Sequence, residues 1–130
     1  MGRRTAERPA ATLLLGYWLP VALYIGMIFL LSAQQHLRPP FSFANSDKVM
    51  HILEYGGLGL LIARAVLAGA PRLSALPLGL LALCLGIMVG TGDELFQATV
   101  PGRQSSAFDL MADTVGLGLA QFLYRALLRS

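Results

Sequence analysis

Residues Val49 to Leu67 read VMHILEYGGLGLLIARAVL. The run is close to the roughly 20 residues that a helix needs to cross the hydrocarbon core of a bilayer, yet it carries His51, Glu54 and, near its far end, Arg64. Three more apolar runs of similar length flank it: Leu13 to Leu31, Leu73 to Gly92 and Leu110 to Leu128. None alternates polar and apolar residues as a barrel strand would. In lipid each segment must pair its own backbone amides, which a helix does. The expected fold is therefore all-α: a polytopic membrane protein of four transmembrane helices, forming a single domain over residues 1–130.

Composition agrees. Of the 130 residues 55% are apolar and 13% charged, whereas a soluble domain is about a quarter charged. The net charge of +3 comes without a basic run or interleaved aromatics, so nucleic acid is not an expected partner. Cys84 is the only cysteine and sits between Leu83 and Leu85. It can form no internal disulfide and reads as apolar filler. Arg3, Arg4 and Arg8 before an apolar run resemble the start of a secretory signal. The uncharged stretch from Pro9 to Leu37 is too long for one, and no small-x-small cleavage site follows its apolar part, so a retained helix is expected.

Turn residues occupy the gaps: Pro39-Pro40 and Asn45-Ser46, then Ala70-Pro71-Arg72, then Val100-Pro101-Gly102-Arg103. Pro20 should bend the first helix slightly, and Tyr17 and Trp18 read as interfacial anchors at its end. Arg3, Arg4, Arg8, Arg64, Arg72, Arg125 and Arg129 fall on one side of the four runs, and Arg38, Lys48 and Arg103 on the other. The positive-inside rule then puts the N-terminus and the C-terminus in the cytoplasm. The acidic residues are distributed oppositely. Glu7 alone is on the cytoplasmic side, while Asp47, Glu54, Asp93, Glu94, Asp109 and Asp113 gather at the outer ends of the last three helices.

Depth makes that gathering informative. At about 1.5 Å per residue, Glu54 lies about 10 Å below Asp47, and about 25 Å separates Asp47 from Arg64. A hydrocarbon core roughly 30 Å thick leaves Glu54 no easy route to outer water, so it must face other helices. Asp113, only one short apolar stretch from Arg125, should face inward for the same reason. Spacings of four, three and four put Asp47, His51, Glu54, Tyr55 and Leu58 on one helical face, and Gly90, Glu94 and Gln97 share another. Ionisable groups at membrane depth are costly unless they pair or line a wet cavity, and they mark candidate sites. The expected ligand-binding set is Asp47, Lys48, His51, Glu54, Tyr55, Glu94, Gln97, Arg103, Asp109 and Asp113, around an outward-facing polar pocket.

Structural roles compete at several of these positions. Asp47 and Asp109 follow serine-containing loops and suit helix capping, as do Ser46, Ser105 and Ser106. Asp93 points away from the Glu94 face and reads as a solvated helix end. Arg103 suits neutralising Asp109 or Glu94, and the buried group as a whole suits helix packing. Gly56, Gly57, Gly116 and Ala120 supply the small surfaces of close helix contacts. His51, Glu54, Glu94, Asp109 and Asp113 are the ligand types a divalent ion takes. With only one histidine in the cluster, no HExxH and competing Lys48 and Arg103, no metal and no cofactor is expected. No serine elbow, Cys-His pair or phosphate-cradling loop is present, so no catalytic residue is assigned and binding is expected ahead of turnover.

Four motifs together carry a family resemblance: Phe29-Leu-Leu-Ser32, Asp47-Lys48-x-x-His51-x-x-Glu54-Tyr55, Glu94-x-x-Gln97-x-x-x-Pro101-Gly102-Arg103 and Asp109-x-x-x-Asp113-x-x-Gly116. In them the chain closely resembles the VanZ-like membrane proteins over most of its length. One departure is Asp113, where that family more often has asparagine. The resemblance implies a small four-helix protein of the bacterial inner membrane, in a family whose namesake is associated with low-level resistance to teicoplanin, a glycopeptide antibiotic with a lipid tail. The function expected from residues and resemblance together is binding of the polar head of a cell-envelope lipid precursor or a lipoglycopeptide. A membrane-embedded enzyme acting on such a lipid, or an accessory subunit packed against a membrane-protein partner, are the alternatives.

Overall fold

The computed structural model describes residues 8–35 and 40–128. Arg3, Arg4, Glu7, Arg38, Pro39 and Arg129, to which the sequence reading assigns sides of a membrane, lie outside the described residues. Four helices account for the rest: α1 (Ala10–Ser32), α2 (Ser46–Gly69), α3 (Ala75–Gln97) and α4 (Ala107–Leu128). There is no strand among the described residues. The first three helices are long and apolar enough to cross a membrane.

Each helix extends beyond the apolar run that announces it, because polar first and last turns are helical too. The loop before α2 ends at Asn45 in the left-handed region (φ 61°), a conformation asparagine tolerates better than most residues. Carbonyl oxygen of Asn45 then accepts the N–H groups of Lys48 and Val49. Ser74 is extended at the start of α3, with Pro77 in the first turn, where its missing N–H is harmless. Gly102 (φ 81°) turns the chain back after α3. Ser106 opens α4, its Oγ accepting the N–H of Phe108 at 3.1 Å, so one of the three expected serine caps is realised.

α1 is interrupted by a wide π-turn over Leu14–Trp18, immediately before Pro20. Proline has no N–H to give to the carbonyl four residues back, that of Gly16. Arg64 of α2 supplies the missing donor, its Nη1 lying 3.0 Å from Gly16 O. The same guanidinium lies over the Tyr17 ring at 4.3 Å, with Arg8 at 5.1 Å from that ring.

α2 packs most extensively on α4, along the small residues the sequence marks for it. A Cβ on Gly56 would stand 3.7 Å from Gly116 O, and one on Gly116 only 2.3 Å from Ile52 O. Gly59 faces Ala120 in the same seam, while Gly57 instead receives Tyr24 of α1. Tyr55, Leu58, Ile62, Ala63, Ala82, Leu117 and Ile28 form the buried apolar centre. The exterior is apolar as well: Leu23 and Leu30 on α1, Leu76, Leu80 and Met88 on α3, and Phe108, Met111, Leu119 and Phe122 on α4 are all exposed. Cys84 lies on this outer surface rather than filling the centre.

Candidate functional site

The polar residues inside the bundle converge at the end formed by the start of α2, the end of α3 and the start of α4. Spacing along α2 sets the first layer. Lys48 Nζ bonds Asp47 Oδ2 at 2.7 Å and also pairs closely with Asp109 on α4. One turn deeper, His51 Nδ1 lies 2.8 Å from Asp113 Oδ1, and its Nε2 is 3.8 Å from Asp109 Oδ1. A carboxylate on Nδ1 holds the ring with that nitrogen toward Asp113 and turns Nε2 toward Asp109. Asp113 is fully buried, as its position in the chain demands.

A second layer joins α3 to the others. Tyr55 donates its hydroxyl to Asp93 Oδ2 at 3.3 Å, and Gln97 Nε2 donates to the same oxygen and to Ser32 Oγ of α1, both at 3.1 Å. Arg103, in the loop after α3, donates from Nη2 to Gln97 Oε1 at 3.2 Å. Glu94 Oε2 accepts the N–H of Ser106 at 3.0 Å, tying the end of α3 to the start of α4.

Several expected roles change. Asp93 is no solvated helix end: it is fully buried between Tyr55 and Gln97. Three helices cover α3 here, with Tyr55 of α2 on Asp93, Ser32 of α1 on Gln97 and the start of α4 on Glu94, so the polar stripe of Gly90, Asp93, Glu94 and Gln97 points inward as a whole. Asp47 keeps its place in the first turn of α2, where a carboxylate complements the helix dipole, and also bonds Lys48. Arg103 neutralises neither Asp109 nor Glu94, and Lys48 takes Asp109 instead. Ser32 enters the network although no periodicity singled it out; its place in the Phe29-Leu-Leu-Ser32 motif was the available signal.

A cavity of about 430 Å³ opens beside this network. Asp47, His51 and Glu54 of α2, Gln97, Gly102, Arg103 and Gln104 after α3, Asp109 of α4 and Leu31, Ser32 and Gln35 of α1 line it, with Pro40 and Met50 at its edge. Of the ten residues expected to form the pocket, Asp47, His51, Glu54, Gln97, Arg103 and Asp109 line the cavity directly. Lys48, Tyr55, Glu94 and Asp113 stand behind them, holding Asp109, Asp93, the α4 start and His51. The side-chain atoms Glu54 Oε1, Asp93 Oδ1, Glu94 Oε1 and Asp113 Oδ2 are buried without a hydrogen-bond partner. Arg103 has no ion-pair partner among the described residues.

Apolar helices with an apolar exterior around a polar cluster define a helical membrane protein, since a water-soluble bundle would place its charges outside. The family model described as VanZ/LLP1 matches residues 10–129, and the chain belongs to that family. No curated protein and no solved structure matches it.

Proposed function

We propose that the protein spans the bacterial inner membrane four times, with both termini in the cytoplasm, and binds the polar head of an amphiphile in its outward-facing cavity. The ligand class is a lipid-linked cell-envelope precursor or a lipoglycopeptide. The observation that carries this reading is the pairing of opposite chemistries in one cavity. Arg103 brings a guanidinium without a carboxylate partner among the described residues, and Glu54 a buried carboxylate oxygen without a donor among them. A volume of about 430 Å³ falls within the roughly 300–1,000 Å³ of small-molecule sites. A head bearing both anionic groups and hydroxyl or amine donors satisfies both residues, while its tails lie against the exposed Leu30 and Leu53.

The fourth span is supported by the way α4 is built. Its exposed residues Phe108, Met111, Val115, Leu119 and Phe122 recur every three or four positions as an apolar stripe, while Asp109, Asp113 and Gln121 are buried. That is amphipathicity turned inside out, as lipid requires. Asp113, Gln121 and Arg125 lower its average apolarity without facing the lipid stripe.

Thermal stability in mild detergent, with and without a panel of envelope lipids and teicoplanin, tests the reading. One compound should stabilise the wild type by about 2.7 kcal/mol at a hundredfold excess over its Kd, and should fail to stabilise Glu54→Gln and Arg103→Lys. Equal stabilisation of all three proteins would sink it. The His51–Asp113 pair favours one rival, a membrane-embedded enzyme with His51 as acid or base; that reading requires turnover of a lipid-linked substrate. An accessory subunit, the other rival, would lose a co-purifying partner in the same variants and bind none of the panel.

A further inference from the structure

Beyond the headgroup reading, and independent of it, we infer that His51, Glu94 and Asp109 form a binding site for one divalent transition-metal ion of the Zn²⁺ or Mn²⁺ type. One ligand atom from each lies within 4.8 Å of the other two, and the three come from three different helices.

The histidine is set for the task. Asp113 holds Nδ1 at 2.8 Å, turning Nε2 toward Asp109 Oδ1 at 3.8 Å. That separation is too long for a hydrogen bond. It is close to the ~3.4 Å between neighbouring donors of a tetrahedral ion bound at about 2.1 Å. A carboxylate behind the ligating imidazole is the usual outer-shell arrangement at such ions, fixing the ring and strengthening its donor nitrogen.

A second observation is independent of the cluster's composition. Glu94 is 6% exposed and Asp113 fully buried, and each keeps one oxygen, Glu94 Oε1 and Asp113 Oδ2, without any donor. Ser106 N–H engages only the other Glu94 oxygen. Six carboxylates, Asp47, Glu54, Asp93, Glu94, Asp109 and Asp113, face only Lys48 and Arg103 as permanent cations among the described residues of this end. A divalent ion answers both the orphaned oxygen and the excess charge.

Lys48, bonded to Asp109, is the competitor. It already has a second acceptor in Asp47 Oδ2 at 2.7 Å, so releasing Asp109 does not strand the ammonium. One nitrogen and two carboxylates suit a first-row transition ion better than Ca²⁺, which takes six to eight oxygens. Three protein ligands leave a coordination position open, and His51 and Asp109 also line the cavity.

The test uses the full chain, purified in detergent without a polyhistidine tag, stripped with chelator and dialysed against Zn²⁺ or Mn²⁺ with no added lipid. About one ion per chain is expected in the wild type. Asp113→Asn, which keeps all three ligands, should bind about 10–100-fold more weakly, as loss of an outer-shell partner does, and His51→Gln should bind more weakly still. Lys48→Met should bind more tightly than the wild type, a gain that no loss of folding can mimic. Folding of each variant is read by size-exclusion chromatography, and if His51→Gln fails it, the Lys48→Met and wild-type measurements decide. A folded wild type that takes up neither ion, or a Lys48→Met affinity no higher than the wild type's, overturns the site. Because no lipid is added, that failure leaves the headgroup reading standing.

Discussion

At Gly116 a Cβ would meet Ile52 O at 2.3 Å and Gly56 N at 3.0 Å, both backbone atoms of α2 that cannot turn aside. At Gly118, two residues on, a Cβ meets nothing within 4 Å. Gly116→Ala should therefore push α4 off α2, at a cost of about 1–3 kcal/mol or more by overpacking. Gly118→Ala should be neutral or stabilise by up to about 1 kcal/mol through helix propensity. Thermal unfolding of the two variants side by side checks this, and equal midpoints would remove the seam from the account. The sequence reading anticipated close packing here from small residues at helical spacing. It did not anticipate the burial of Asp93, because only Gly90, Glu94 and Gln97 were grouped on the inner face of α3, whereas Asp93, three residues from Gly90 and four from Gln97, belongs to the same broad face. Tyr55 of α2 bonds it there at 3.3 Å. Tyr55→Phe should cost about 1.5–3 kcal/mol, the usual worth of a hydrogen bond to a charged group, and little or no loss in thermal unfolding would mean that Gln97 alone satisfies Asp93.

Among the elements, α1 shows most clearly what pattern reading reaches and misses. Its apolar length was legible, and so was a distortion near Pro20. The π-turn and its remedy were not, since the donor to Gly16 O comes from Arg64, forty-eight positions along the chain, and no local rule connects them. Arg64 instead read as a marker of the cytoplasmic surface. If its structural role is to replace the N–H that Pro20 lacks, the two residues must be coupled. Arg64→Met should destabilise the wild type by about 1 kcal/mol, the usual net worth of a hydrogen bond, since this charged donor is exposed. In a Pro20→Ala background, where the helix supplies its own donor, the same change should cost less. A double-mutant cycle in detergent measures the difference directly, and strict additivity would show that Arg64 serves the Tyr17 ring and the interface alone. The remaining helices were placed in order, and their polar ends, Asp47 on α2 and Gln97 on α3, were legible from side-chain spacing although the apolar runs stop short of them, because an apolar run marks where lipid begins, not where hydrogen bonding stops.

Across the whole molecule, the sequence placed the ionisable cluster at one end but could not pair its members. Lys48 with Asp109, His51 with Asp113 and Glu94 with Ser106 depend on the relative heights of α2, α3 and α4, which the packing of Gly56 against Gly116 and of Gly59 against Ala120 sets. The same chain-wide view yields the proposed topology. Six acidic residues and the cavity lie at one end; Arg64, Arg72 and Arg125 lie toward the other. An odd number of crossings would put the termini on opposite sides, so the crossing of α4 and the sidedness of the chain are tested by the same reporter fusions. Alkaline phosphatase fused after Ser130 should be inactive and a fluorescent protein there bright, because both report the cytoplasm. Phosphatase inserted after Gln104, in the loop between α3 and α4, should be active. An active C-terminal phosphatase together with the active loop insertion would mean that α4 lies on the membrane instead of crossing it. Asp109 and Asp113 would then need water rather than α2 as their environment, which their burial of 7% and 0% exposure argues against.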